Sequence, residues 1–254
     1  MSSRQRQPGV HVVEYQSISE PHIEGSNDAW WGIAKMYVKA QDHDARYLLA
    51  NELICCRLAA ALGLPVLPGE IAQHPDGRKC WITPQISIAN TTLPPTSLEQ
   101  VVAAQPTVVA GMVVFDCWVR NDDRSADNLL FDPRLGVWLI DHEHCLAGRT
   151  GESFGALERL TEALPNWSEF RHADLDQDAL AFWITRIRSV PTTPIDQALD
   201  EARSRGLITR PQQAELKRFL LARKERIDSL VRRFWDDGSA THPYVGGLFD
   251  EGSA

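Results

Sequence analysis

The stretch "NDDRSADNLLFDPRLGVWLIDHE", Asn121 to Glu143, decides how the rest of the chain is read. Two apolar runs, "LLF" (129–131) and "VWLI" (137–140), flank "DPRLG", where proline and glycine supply turn geometry. The pattern predicts a β-hairpin. Pairing its strands sets Asn128, just before the first, across from Asp141, just after the second, and such neighbours lie about 5 Å apart. An amide oxygen and a carboxylate at that spacing suit one hard cation, because Mg2+ takes one or two protein oxygens and leaves its other positions to water and phosphate. Asp123 stands five residues before Asn128 in a polar loop, where it can reach a nucleophile's proton. Asp and Asn beside turns are ordinarily caps or Asx-turns. Their joint placement around an apolar hairpin points instead to phosphoryl-transfer chemistry.

A different metal reading comes from "DHEHC" (141–145). His142 and His144 share a face only if the segment is a strand, where residues i and i+2 point the same way. No second cluster in the sequence completes that ligand set, and the spacing is not HExxH.

The first third offers the other half of a phosphate site. Residues 9–41 carry β-formers, "VHVVEY" and then "WWGIAKMYVKA", separated by the turn-prone "EGSNDA". "DARYLLANELICCRLAAALGLP" predicts a helix that Gly63 stops and Pro65 cannot continue. Glu52 falls on that helix's apolar stripe, where an unpaired carboxylate is costly, and Lys39 on the preceding strand is its natural partner. A lysine so held can face phosphates. Gly25 and Ser26 in "EGSND" are candidates for covering them with backbone N–H groups. Two short strands around "HPDG" follow, the second ending in "WITPQI" (81–86). The pair "WW" (30–31) reads as core rather than as a base-stacking platform.

These elements predict an α+β chain in three parts: a β-rich segment with one long helix (8–88), a mainly helical segment carrying the hairpin (97–236) and an acidic, Gly- and Ser-bearing tail (237–254). The polar "ANTTLPPTS" (89–97) is the expected joint. Thr209 and Gln212 form a capping-box pattern before the last helix. That helix holds seven basic and three acidic residues, with an apolar stripe at Leu216, Leu220, Ile227, Leu230 and Phe234 and a basic face expected in solvent.

Composition narrows the classes. The 254 residues are 43% hydrophobic and 24% charged, as in ordinary globular proteins. A net charge of −8 disfavours nucleic-acid binding, which needs basic surface to displace counterions. Five cysteines without a CxxC pair predict buried reduced thiols, and no apolar run reaches the ~20 residues of a membrane span. With no signal-peptide pattern at "MSSRQRQPG", a cytoplasmic location without integral membrane association is the expectation.

"YVKA", "NELICCRLAAALGLPV", "FDCWVRNDDRSADNLL" and "WLIDHE", in that order, resemble the HipA-like kinases, relatives of the phosphatidylinositol kinases. The resemblance covers roughly residues 20–235. It implies a bilobal, protein-kinase-like fold with ATP and Mg2+ between a small β-rich lobe and a helical lobe. It implies that Lys39 holds phosphates, Glu52 holds Lys39, Asp123 is the catalytic acid/base, and Asn128 and Asp141 are metal ligands. It also implies that Thr83 and Gln85 in "WITPQI" lie at the hinge, where adenine meets backbone groups. Arg124 follows Asp123 as in the "DRH" of the lipid-kinase relatives, whereas Ser125 stands in place of that His and Asp127 in place of a Lys that some HipA toxins carry. The expected function is transfer of phosphate from ATP to a hydroxyl of a protein Ser/Thr or of a small molecule. The alternative is a catalytically weak or inactive pseudokinase that serves as a binding module. The acceptor partner is left open, because acceptors are chosen by loop shape rather than by the catalytic set.

Overall fold

The computed structural model describes residues 15–22, 29–88, 91–93 and 96–236. Strands β1 (Tyr15–His22) and β2 (Ala29–Ala34) pair antiparallel, with register shifts between Tyr15 and Ser17 and between Ile18 and Pro21. Proline has no N–H for the ladder, which is one reason a strand carrying it pairs irregularly. Of "VHVVEY" only Tyr15 is described, and the side chains of Trp30 and Trp31 lie outside the described residues.

Through Lys35 the chain continues into β3 (Met36–Ala40), the edge of a three-stranded antiparallel sheet ordered β3-β5-β4. Its partners are β4 (Glu70–Gln73) and β5 (Lys79–Pro84), joined by the "HPDG" turn, with Lys39 opposite Trp81. Gly69 is required where it stands: a Cβ there would lie 1.9 Å from the Trp81 ring.

Helix α1 (Leu48–Leu62) ends as its sequence dictates. Gly63 takes the left-handed conformation at φ 81° and its N–H closes the last turn on Ala59 and Ala60. The helix is buried on nearly every side rather than along one stripe, Asn51 and Glu52 included. Full burial of each Leu or Ile contributes about 1.5–3 kcal/mol, so α1 is a central structural pillar.

Beyond two-residue strands β6 (Ser87–Ile88) and β7 (Thr91–Thr92) come α2 (Leu98–Ala104), capped by Ser97, and α3 (Pro106–Val119), which begins on a proline. The hairpin of β8 (Leu129–Asp132) and β9 (Gly136–Leu139) follows, then α4 (Gln177–Ser189), α5 (Thr192–Ser204) and α6 (Arg210–Asp236). The capping box forms: Thr209 N–H donates to Gln212 Oε1 at 2.8 Å and Gln212 N–H to Thr209 Oγ1 at 3.4 Å.

The expectation of a mostly helical region after Leu98 is corrected between residues 140 and 176, where a 3-10 turn at Leu157–Leu160 is the named helical element. Gly148, Gly151 and Gly155 all take positive φ there, and the backbone closes tight turns such as Gly148 N–H to Cys145 O at 2.9 Å. Positive φ at such short intervals is incompatible with a helix.

One hydrophobic cluster runs from Trp81 through α1 and α3 to the hairpin and to α4, α5 and α6. The predicted stripe of α6 is buried throughout. Arg223 departs from the expected solvated basic face. It is fully buried, and its guanidinium donates to the carbonyls of Cys117, Trp118, Leu160, Thr161 and Ala163. Position 223 lies between Leu220 and Ile227 on the stripe itself, which is why it turns inward. All five cysteines are free and buried. Among the described residues no single helix is long and apolar enough to cross a membrane.

Candidate active site

Lys39 is the hub. From the edge strand β3 its Nζ lies 2.9 Å from Glu52 Oε1, 2.5 Å from Asp141 Oδ1 and 3.4 Å from Glu143 Oε2. Burial alone would lower the lysine pKa, but the surrounding carboxylates raise it above its ordinary value. Glu52, 3% exposed, shows the mirror image. Burial pushes its carboxyl up, yet hydrogen bonding from His142 and the Lys39 charge bring it down to about 2. The His142 backbone N–H donates to Glu52 Oε2 at 3.2 Å, while the ring Nδ1 lies 3.6 Å away. The Lys39–Glu52 pair predicted from the apolar stripe therefore exists.

The hairpin register differs by one residue from the expectation. Leu129 pairs with Leu139, and Ile140 N–H donates to Asn128 O at 3.3 Å, so Asn128 faces Ile140 rather than Asp141. Asp141 lies one step further, where the backbone leaves the strand at φ 59°. That left-handed turn, uncommon for a residue with a Cβ, re-aims the carboxylate toward Lys39. Asn128 donates Nδ2–H to Asp123 O at 2.6 Å, which ties it to the loop and leaves Oδ1 as its remaining polar atom.

Arg124 binds loop to hairpin. Wholly buried, it makes a two-pronged contact with Asp116 of α3 at 2.9 and 3.1 Å and donates to the carbonyls of Asn128 and Ile140, each at 2.9 Å. Asn121 Nδ2 adds a bond to Asp116 at 3.0 Å. The two neighbouring acids are thereby distinguished. Asp122 is consumed by Arg120 at 2.6 Å and by Asn166 N–H at 2.8 Å. Asp123 is about half exposed, and its carboxylate is 3.9 Å from His144 Nε2. Of the two, only Asp123 is placed to meet an incoming molecule.

Beside Lys39 opens a cavity of about 330 Å³. Its walls are largely apolar, with Leu67, Trp81, Ile86, Leu130 and Leu139 among them, and Thr83, Pro84 and Gln85 line it too. Lys39, Glu52, Asp127 and Asp141 bring charged groups to the lining, beside His142. A cavity with largely apolar walls and charged side chains in its lining suits a planar base attached to an anionic group. Gln85 N–H already donates to Lys35 O at 3.0 Å, so it is not a free donor for a base. Gly25 and Ser26 lie outside the described residues. Among the described residues no group of three or more His, Cys, Asp or Glu is gathered around a metal position, so His142, His144 and Cys145 form no such cluster.

A family model described as HipA-like kinase matches residues 16–154, more than half of the chain. The chain belongs to the HipA-like kinase family. Among solved structures it is similar to the proinflammatory kinase CtkA of Helicobacter pylori, at 13% identity over 87% of this chain and 96% of that one, with a TM-score of 0.57. HipA of the Shewanella oneidensis MR-1 toxin–antitoxin system, solved with HipB and its operator DNA, also matches. There the identity is 15%, over 93% of this chain and 68% of that one, with a TM-score of 0.46. At 13% identity the likeness to CtkA is one of fold. No curated protein matches the sequence.

For a HipA-like kinase, two residues of this site went unread in the sequence. Asn51 and Asp116 are buried, and each is tied to a residue that was singled out or to its loop. His142, read as a metal-ligand candidate, is instead buried with its N–H on Glu52. Asn51 carried the same signal as Glu52, a polar side chain inside an apolar helix. Asp116 stood likewise within the apolar run of α3. Glu143 is engaged by Arg149 at 3.4 Å and by His144 at 3.5 Å, and its carboxyl is lowered despite burial, by His144, Lys39 and Arg149 together.

Proposed function

We propose that this HipA-like kinase is an ATP- and Mg2+-dependent phosphotransferase, bilobal, with residues 8–88 as the nucleotide-covering lobe and 97–236 as the catalytic lobe. The single observation that carries this reading is Lys39 Nζ, shared between Glu52 Oε1 at 2.9 Å and Asp141 Oδ1 at 2.5 Å in the lining of the apolar cavity.

The donor types suit a hard cation. Asp141 offers a carboxylate and Asn128 an amide oxygen, both oxygens of the kind Mg2+ prefers, and several carboxylates crowd one lysine. Bound there, Mg2+ would neutralise phosphate charge. The remaining work belongs to the chain. Glu52 holds the Lys39 ammonium in place for α- and β-phosphate oxygens. The slot beside Thr83 and Gln85 takes the adenine, and Gly25 and Ser26 are proposed to lie over the phosphates. Asp123 orients the acceptor hydroxyl and accepts its proton at the carboxylate, while Arg124 holds the loop to the hairpin. Catalysis is then mainly positioning and charge neutralisation.

One observation favours the weaker alternative, a pseudokinase. Asp127, at the position where the resemblance implies a lysine in some HipA toxins, lines the cavity with a carboxylate, and this opposes a polyphosphate. The acceptor in this reading is a hydroxyl, of a protein Ser/Thr or of a small molecule. Incubating the protein with Mg2+ and γ-labelled ATP, alone and with a cell lysate, tests the proposal. Label transfer by the wild type and its loss in Asp123→Ala supports it. Nucleotide binding without any transfer supports the pseudokinase.

A further inference from the structure

Three residues of α1 and its approach are fastened to the loop that follows Asp141. Asn51 Nδ2 donates to Glu143 O at 2.7 Å and to Gly148 O at 3.1 Å. Tyr47 N–H donates to Arg149 O at 2.9 Å, and Glu52 accepts the His142 N–H at 3.2 Å. Asn51 is the most committed of these. It is 3% exposed, both of its contacts go to one loop, and it directly precedes Glu52.

The consequences of losing it follow from burial. A Glu143 or Gly148 carbonyl with no donor must find water or move, and moving shifts the backbone that carries Asp141 and Glu143. Those residues hold Lys39 from one side while Glu52 holds it from the other. The amide's two N–H groups thus set the distance between the helix carrying Glu52 and the loop carrying Asp141. Other residues of α1 fix the helix in the core; Asn51 fixes it relative to the site.

We infer that Asn51 is a positioning residue for phosphoryl transfer, clamping α1 to the 143–148 loop so that Glu52 and Asp141 meet Lys39 together. The inference rests on the kinase reading for its catalytic consequence and on geometry alone for the clamp.

The test compares Asn51→Asp, which keeps the shape and removes the donors, and Asn51→Ser, which keeps one short donor, with Leu62→Ala. Leu62 is buried at the far end of α1, so its truncation destabilises the same helix without touching the loop. Melting temperature, kcat and KM for Mg-ATP, and amide hydrogen exchange over residues 143–149 are measured for each. Both Asn51 variants are expected to lose kcat on the order of tenfold to a hundredfold, the scale set by small misplacements of catalytic groups. Exchange over 143–149 should accelerate beyond what the loss of global stability explains. Leu62→Ala should lower the melting temperature while kcat stays near wild type. If Asn51→Asp fails to fold, Asn51→Ser carries the comparison. Asn51 variants that match Leu62→Ala in both kcat and local exchange overturn the inference. Absence of transfer by the wild type counts against the kinase reading, and the exchange arm still decides whether the clamp exists.

Discussion

Asp122 and Asp123 are chemically identical neighbours with opposite tasks. Asp122 is spent on Arg120 and Asn166 N–H, whereas Asp123 keeps a half-exposed carboxylate. Asp123→Ala should therefore retain nucleotide binding while turnover falls by ~10² or more, the scale of acid–base assistance. Asp122→Ala should chiefly lower the melting temperature. Reversal of the two phenotypes in kinetics and thermal melts would mean that the catalytic register is off by one. The Lys39–Glu52 pair carries its own test, in pH. Glu52 titrates in the folded state at about 2 against an ordinary 4.5, a depressed carboxyl pKa. Such a group stabilises the fold above its unfolded pKa and loses that contribution as pH falls through the folded one. Wild type should thus lose stability between about pH 4.5 and 2 more steeply than Glu52→Gln. Equal slopes in acid denaturation would show that the pair contributes nothing. In a double-mutant cycle, Lys39→Met and Glu52→Gln should couple by roughly 0.5–3 kcal/mol. The pair was legible because a carboxylate inside an apolar helix demands a cation. Asn51 gave the same kind of signal, but its partners are backbone carbonyls more than ninety positions away, and no residue type marks a carbonyl.

At the scale of elements, ends and turns were the readable features. Gly63 and Pro65 stop α1, "DPRLG" turns the hairpin, and Thr209 with Gln212 opens α6. Each is local, decided by backbone geometry within a few residues. Gly63→Ala should cost ~1 kcal/mol, the left-handed penalty for a residue with a Cβ, measured by denaturant unfolding. No change there would mean that the helix end relaxes freely. The register at Asp141 was missed because the strand ends one residue early and a left-handed turn re-aims the side chain. Alternation cannot foresee that. The 140–176 segment was missed for a related reason, since its shape comes from glycine turns rather than from a period. Arg124 joins these elements. Arg124→Met strands the buried Asp116 carboxylate and should cost about 3–5 kcal/mol, the typical result of breaking a buried pair from one side. A loss below 1 kcal/mol would show that Asp116 finds another partner.

Across the whole molecule, the sequence pattern anticipated a β-rich start, a long helix and a helical remainder around a hairpin. It could not show that β3, α1 and Asp141, two residues past β9, converge on one ammonium, because Lys39 and Asp141 are 102 positions apart. That convergence is the central claim. Its most direct test is the melting temperature of wild type and Asp141→Asn with ATP, in Mg2+ and in EDTA, since ligands that bind only the folded state stabilise it by mass action. The account predicts a clear ATP-dependent rise for wild type in Mg2+, a much smaller rise in EDTA, and loss of most of the metal-dependent part in Asp141→Asn. An equal rise with and without metal, or one that Asp141→Asn leaves intact, would contradict it.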